Sequence, residues 1–336
     1  TMSWKIPNTA ENVKYFNFDE GWIKTSSEGV TYFDKSGIVW EEDFEMVEPM
    51  VDVQGTYAAV ADKKQSDVYL YDKSGLVTKI SVGHSIMDVE VSAYGVVAVS
   101  TNSGQSNYIE VLDKTGAELV TCKSTFESSG YLMDISLSED GTHLAGAFLC
   151  VSGGSIESRV QFYDFTKVDS AEKIVASESV HDYPGTILTT VEFMNGETVC
   201  AVGDNVLAIY NFSETPELTY ENTELGFEIQ TLLINENYVG FIRRDETGEH
   251  NYYFHVYDVA GRETAVAAID IAYSKALFAG RNIVFYAGND CRMYSFFGIE
   301  KFSFMMDDGL VDMVSATGGR EFIVAYPAGT ELIKVK

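Results

Sequence analysis

The sequence predicts an all-β fold, a β-propeller of eight four-stranded antiparallel blades closed by an N-terminal strand in the last blade, with seven blades as the alternative. Three observations predict it. A strand-and-turn pattern returns about every forty residues, the period of four-stranded propeller units. Apolar and polar residues alternate between turn residues, and no stretch keeps a helical period for more than a turn or two. The 336 residues are 46% apolar, which fills a large core, while 28 glycines and five prolines are too few for a low-complexity chain.

Each unit is built around a third strand that ends in Asp, two small or polar residues, and Gly. Val30-Thr-Tyr-Phe-Asp34-Lys-Ser-Gly37 is the first copy, Val68-Tyr-Leu-Tyr-Asp72-Lys-Ser-Gly75 the second and Ile109-Glu-Val-Leu-Asp113-Lys-Thr-Gly116 the third, at spacings of 38 and 41. Looser copies follow at Val160–Asp164 and Leu207–Asn211, a clear one at Val256–Gly261, and another loose one at Met293–Gly298. Asp accepts a hydrogen bond from the backbone two residues on, and Gly takes the positive φ that closes the hairpin. Two strands precede the third, as in Met87–Gly95 with Val96–Val99, Met133–Gly141 with Thr142–Phe148, Thr190–Gly196 and Val311–Gly318. A fourth follows the turn, as in Ile38–Glu42 and Ala117–Cys122. The eighth unit ends with strands near 310–315, 320–325 and 330–335 and lacks a fourth. Ser3 to Ile6 is expected to supply it against Thr330–Val335, with Trp4 and Ile6 on one face and Trp4 on the outer face of the last blade. Pro7 has no N–H and ends the pairing. Residues 1–336 read as one propeller domain.

Composition excludes several classes. Lys and Arg total 23 against 51 Asp and Glu, a net charge of −28, which repels nucleic-acid backbones and anionic lipid headgroups. The most apolar stretch, Ala265 to Gly288, is interrupted by Asp270, Lys275 and Arg281, so this segment does not insert directly into a bilayer. Cys122, Cys150, Cys200 and Cys291 have neither zinc spacing nor the density of a disulfide framework, and are expected to be free and at least partly buried. The chain opens at Thr1 without a visible signal peptide, and removal of an upstream anchor or signal is left open.

Asp34-Lys-Ser-Gly-Ile-Val-Trp40 resembles the repeat of quinoprotein-like propellers, and Leu137-Ser-Glu-Asp-Gly-Thr-His-Leu-Ala145 resembles the first hairpin of WD40-like blades. Only Trp40 sits at the docking position, no Trp-Asp dipeptide ends a third strand, and Gly83-His84 is the single Gly-His pair. Through Val51-Asp-Val-x-Gly55, Tyr71-Asp-x-x-Gly75 and Asp140-Gly141, nearly the whole chain resembles a family of propellers from Gram-positive anaerobes. Its members carry an N-terminal membrane anchor and have no assigned activity. The resemblance implies an extracytoplasmic location, membrane-anchored in the full-length protein, with the cytoplasm as the alternative. It implies no chemistry.

No cofactor is expected, because a quinone site needs a calcium constellation and adjacent cysteines. His84, His143, His181, His250 and His255 show no ligand spacing. The geometric possibility is axial. The first positions of the innermost strands read Lys14, Asp88, Asp134, Thr190, Thr231, Lys275 and Asp312, with Met50 or Asp52 in the second unit. Asp88, Asp134 and Asp312 are the candidates for an axial cation. Tyr131, Tyr183 and Tyr220 are candidates for a ligand-facing aromatic patch. The function read from this is a non-catalytic binding or scaffold propeller, a monomer whose partner is a protein or an envelope component. The alternative is a hydrolase or lyase acting on carbohydrate or peptide, with carboxylates and tyrosines at one mouth.

Overall fold

The computed structural model describes residues 2–168 and 179–335; Thr1 and Lys336, the two ends, lie outside the described residues. It is an eight-bladed β-propeller, each blade a four-stranded antiparallel sheet. In order from the innermost strand, blade 1 is Lys14–Phe18, Gly21–Ser26, Gly29–Asp34 and Gly37–Asp43. Blade 2 is Pro49–Gln54, Tyr57–Asp62, Asp67–Asp72 and Gly75–Ser81; blade 3 is Ser85–Val91, Val97–Ser103, Ser106–Leu112 and Glu118–Thr125. Blade 4 is Tyr131–Leu137, His143–Ser152, Ser155–Asp164 and Ser179–Pro184; blade 5 is Leu188–Phe193, Thr198–Gly203, Leu207–Phe212 and Pro216–Asn222. Blade 6 is Thr231–Ile234, Tyr238–Arg244, Tyr252–Asp258 and Glu263–Ile269; blade 7 is Lys275–Phe278, Asn282–Ala287, Asp290–Ser295 and Glu300–Met305. Blade 8 is Asp312–Thr317, Glu321–Tyr326, Gly329–Lys334 and, from the N-terminus, Met2–Trp4. Helix among the described residues is one turn at Phe126–Ser129 and a 3-10 turn at Phe165–Lys167.

The blades fall into two compact units, residues 47–226 with blades 2 to 5, and residues 1–46 with 227–336, holding blades 6, 7, 8 and 1. Within each unit one apolar cluster fills each gap between successive blades. In the first, Val68, Leu70, Val97 and Val99 pack blade 2 on blade 3, and Phe162, Tyr210 and Phe212 pack blade 4 on blade 5. In the second, Phe254 and Phe285 pack blade 6 on blade 7, and Ile323 meets Tyr15 and Phe33 between blades 8 and 1. A fully buried Phe contributes about 2–3 kcal/mol by removal of apolar area from water.

The repeated turn works as its residues require. The Asp34, Asp72, Asp113 and Asp258 carboxylates each accept the amide two residues on, at 2.6 to 2.9 Å. Gly37, Gly75, Gly116 and Gly261 all have positive φ, at 137°, 118°, 84° and 75°. All four cysteines are free, and three are buried, with Cys150 half-buried.

Closure of blade 8 differs from the expectation in extent. Met2, Ser3 and Trp4 pair with Leu332, Glu331 and Thr330, so the strand is Met2–Trp4 rather than Ser3–Ile6, and pairing stops before Pro7 is reached. Trp4 and Ile6 do share the buried face. Trp4 packs not on the outer face of the last blade but on the rings of blade 1, Trp22 at 5.6 Å and Phe33 at 5.1 Å. Its indole N–H needs an acceptor and donates to the Asp34 carbonyl at 3.0 Å. Asn8 completes the attachment. Its carboxamide donates to the carbonyls of Tyr326 and Gly329 at 2.7 and 3.1 Å, and accepts from the Tyr15 hydroxyl at 2.7 Å.

Candidate functional site

The innermost strands of blades 2 to 5 carry two rows of side chains at matching register positions. The first row is Met50, Asp88, Asp134 and Thr190, opposite Ala61, Ser100, Ala147 and Val202 on the second strands. The second row, two residues on, is Asp52, Glu90, Ser136 and Glu192, opposite Ala59, Ala98, Ala145 and Cys200. Met50, not Asp52, is therefore the axial residue of the second unit. In blades 3, 4 and 5 a β-bulge falls just before the axial residue, at Ile86/Asp88, Leu132/Asp134 and Leu188/Thr190.

These side chains staple blade to blade. Asp88 accepts the Ile135 amide at 3.4 Å and Asp134 the Val191 amide at 2.8 Å. In the second row Asp52 accepts from Val91 at 2.7 Å, Glu90 from Leu137 at 3.2 Å and the Ser136 hydroxyl from Phe193 at 2.9 Å. An innermost strand has one side without a partner in its own sheet, and these oxygens satisfy its free N–H groups.

The five carboxyls are crowded by protein while keeping partial solvent access. Burial disfavours their charged forms and their mutual repulsion adds to it. Asp52 is raised to about 6 by burial, against the lowering effect of the amides it accepts, and Glu192 to about 8 by burial, then by Asp52 and Asp88. Asp88 is raised, and Glu90 and Asp134 are raised well above the usual carboxylate range, burial again leading. Asp88 and Asp134 stand close enough to influence each other's titration, and the Asp88 charge helps to raise Asp134. Among the described residues no three carboxylates, histidines or thiols stand together to hold a metal ion.

Of the axial cation candidates, the structure brings Asp88 and Asp134 together. Asp312 belongs to the other unit, where it accepts from the Tyr15 amide at 2.8 Å, Lys275 at 3.1 Å and the Tyr286 hydroxyl at 3.1 Å. There the first row reads Thr231, Lys275, Asp312 and Lys14, and the second row is apolar: Leu233, Leu277, Val314 and Phe16. Glu90 and Glu192 were missed as site residues. The signal for them is the period-two spacing from Asp88 and Thr190 on strands whose neighbours are apolar.

The aromatic candidates do not form one patch. Tyr183 is buried with its hydroxyl on that of Tyr210, because its strand faces the cluster between blades 4 and 5. Tyr131 is exposed and lies 4.5 Å from Phe126, while Tyr220 is half-buried on the outer strand of blade 5. The histidines stand apart from one another, each with its own carboxylate or ring, His181 with Glu221 at 3.1 Å, His250 with Asp270 at 2.9 Å and His255 with Glu263 at 2.8 Å.

A second feature is an open cavity of about 730 Å³, lined by the turns between first and second strands of blades 6, 7 and 8 and by Asn17 of blade 1. Its polar lining includes Asn235, Asn237, Tyr238, Arg281 and Ser315. The Asn235 side-chain oxygen accepts the amides of Asn237 and Tyr238 at 2.9 and 2.8 Å, which fixes the blade 6 turn. Asn17 donates to the Ser315 carbonyl at 2.8 Å. The blade 7 and blade 8 turns approach backbone to backbone. A Cβ on Gly319, at φ 73°, would stand 2.4 Å from the Ala279 carbonyl oxygen, so only glycine fits there. Among the described residues the lining holds one carboxylate, Glu236, and neither histidine nor cysteine.

Comparison with solved structures agrees with the fold. BamB of Moraxella catarrhalis is 14% identical with a TM-score of 0.60, over 98% of this chain and 96% of that one. The Neurospora crassa Pan2 WD40 domain is 10% identical with a TM-score of 0.50, over 86% and 90%. A chain of the mitotic checkpoint complex is 12% identical with a TM-score of 0.53, over 98% and 93%. At such identities the likeness is one of fold. No curated relative matches the chain. Over residues 1–335 it matches a family of unknown function, DUF5711, and belongs to that family.

Proposed function

We propose that the chain is a non-catalytic binding propeller, one domain of eight blades, that holds a protein or another envelope component outside the membrane, with an anchor in the full-length protein. The anchor and location follow from the family resemblance. The observation that carries the binding reading is the turn-lined cavity, whose wall combines main chain, apolar side chains, carboxamides, the rings of Tyr238 and Phe278, the Glu236 carboxylate and the Arg281 guanidinium. Such a wall offers hydrogen bonds and charge without a nucleophile held by a base. A propeller in a mitotic checkpoint complex is in keeping with protein partners. The test is capture from the envelope fraction of the source cells, with wild-type and Arg281→Glu chains as bait. A discrete partner retained by wild type and released by the variant is expected. The same partners on both baits would rule out the cavity as the binding face.

The hydrolase or lyase reading is favoured by one observation, the Asp88–Asp134 pair with raised pKa values. Against it, each carboxyl already accepts an amide of the next blade, a structural use that accounts for its place on the strand. If that reading were right, Asp134→Asn would abolish turnover of a hydrolysable polymer while leaving the fold intact.

A further inference from the structure

We propose that the cavity in the unit of blades 6, 7, 8 and 1 binds a sugar-sized, hydroxylated oxyanion, held by Arg281 of its lining and approached by Arg320 from the adjoining turn. The proposal deepens the binding reading by naming the ligand's chemistry. The sequence has seven arginines. Five are engaged: Arg159 with Glu157 and Asp182, Arg262 with Asp258, Arg292 with Asp290, Arg243 with His255 and Arg244 with Gln230. Among the described residues, Arg281 and Arg320 are the two whose guanidinium groups have no hydrogen bond, ion pair or ring contact, and both are exposed.

Their placement is the same in two successive blades. Each is the last residue of the turn between first and second strands, preceded by a glycine of positive φ, in Gly280-Arg281-Asn282 and Gly319-Arg320-Glu321. The two turns touch through their backbones at Ala279, Gly280, Gly318 and Gly319; Arg281 lines the cavity and Arg320 directly follows a glycine that lines it. The corresponding turn residue is Asn237 in blade 6 and Glu20 in blade 1. Two nearby carboxylates are occupied. Glu321 is bound by Lys334 at 2.5 Å and Glu236 accepts from the Asn237 carboxamide at 3.0 Å. Lys35 lies close enough to act on Glu321 as well.

In a chain of 51 acidic residues, a cavity arginine without an ion-pair partner, with a second such arginine on the touching turn, suits an anion from outside. A guanidinium fork matches an oxyanion in a bidentate geometry that a lysine does not reproduce. The Asn235 amide nitrogen and the Asn237 amide oxygen are left for hydroxyl groups, since their other atoms are used in the turn. A cavity of about 730 Å³ is of the size that takes a small ligand.

The test is isothermal titration of the chain with glucose 6-phosphate, glucuronate and glucose, followed by analysis of the recovered ligand. Binding of at least one anion is expected, with glucose weaker by about tenfold or more, the effect of one charge-assisted hydrogen bond. The phosphate and carboxylate arms tell which source of oxyanion the site takes. Arg281→Gln and Arg320→Gln should each weaken the anion by about tenfold or more. Arg244→Gln, at the other end of the strand that leaves the blade 6 turn, removes the same charge and should bind as wild type. No binding of either anion overturns the proposal, and so does glucose binding as tightly, or both turn variants binding as wild type. An anion that binds but is recovered chemically altered would leave this site standing and refute the non-catalytic reading instead.

Discussion

Asn8 shows how much one side chain carries at the point where the chain returns on itself. It is 4% exposed, and its carboxamide serves two carbonyls of blade 8 and the Tyr15 hydroxyl of blade 1. Asn8→Ala removes the bonds to the two half-buried carbonyls, while the Tyr15 hydroxyl keeps Thr330; at about 1–3 kcal/mol for an unmet group, a urea midpoint shift corresponding to about 1–3 kcal/mol is expected. A shift near zero would mean that water replaces the carboxamide without loss. Glu192 illustrates the opposite sign. Its folded pKa of about 8 lies far above the usual glutamate value, so in the folded state ionisation is penalised and in the unfolded state it is free. Glu192→Gln removes that penalty. The variant should match wild type near pH 4 and be more stable by about 1–3 kcal/mol near pH 8, discounted for partial exposure. Equal stability of the two chains at pH 8 would show that Glu192 ionises without cost.

At the scale of elements, the first strand is the test of closure. Met2–Trp4 contributes three ladder positions, and Trp4 fills the space among Trp22 and Phe33. Deleting residues 1–9 should lower the melting temperature and expose the edge at Gly329–Lys334, so that the shortened chain associates on size-exclusion chromatography. A monomeric deletion variant with an unchanged melt would show that the edge needs no cover. The blades themselves were legible in the sequence because their turns are local. Asp34, Asp72, Asp113 and Asp258 each bond an amide two residues away, and a local bond leaves a local motif. The site was legible only in part. Asp88 and Asp134 stood out as charges on apolar strands, yet their partners are amides 47 and 57 residues on, and nothing near them in sequence announces a staple. Asn8 was invisible for the same reason, its partners being 318 and 321 residues distant. Arg281 and Arg320 recur at one turn position but 39 residues apart, a repeat too short to separate from chance until the glycine contacts joined the turns.

For the whole molecule, the two populations of carboxylates set the pH dependence of stability. Surface turn carboxylates are held low by the hydrogen bonds they accept, Asp113 from Thr115 and Asp245, at about 2, from His250. A depressed group stabilises above its unfolded pKa, and that contribution is lost as pH falls through the folded value. For Asp245 the window runs from the ordinary aspartate value of 3.8 down to about 2. The inner-strand carboxyls act the other way. A raised group stabilises fully below its unfolded pKa and loses that contribution as pH rises toward the folded value. The window for Asp52 runs from 3.8 to about 6 and for Glu192 from 4.5 to about 8, while Asp88, Glu90 and Asp134 shift in the same direction. The formal charge of −28 at neutral pH adds self-repulsion that grows over the same range. The chain is therefore expected to be most stable on the acid side, near about pH 4–5, and to lose stability steadily toward pH 8. Asp134→Asn together with Glu192→Gln should flatten the upper part of that curve, whereas added salt should relieve the surface repulsion and leave the partly buried contribution in place. Urea midpoints measured across this range decide it. A maximum at neutral pH, or a double variant whose curve runs parallel to wild type, would mean that the inner-strand acids ionise as freely in the folded chain as in the unfolded one.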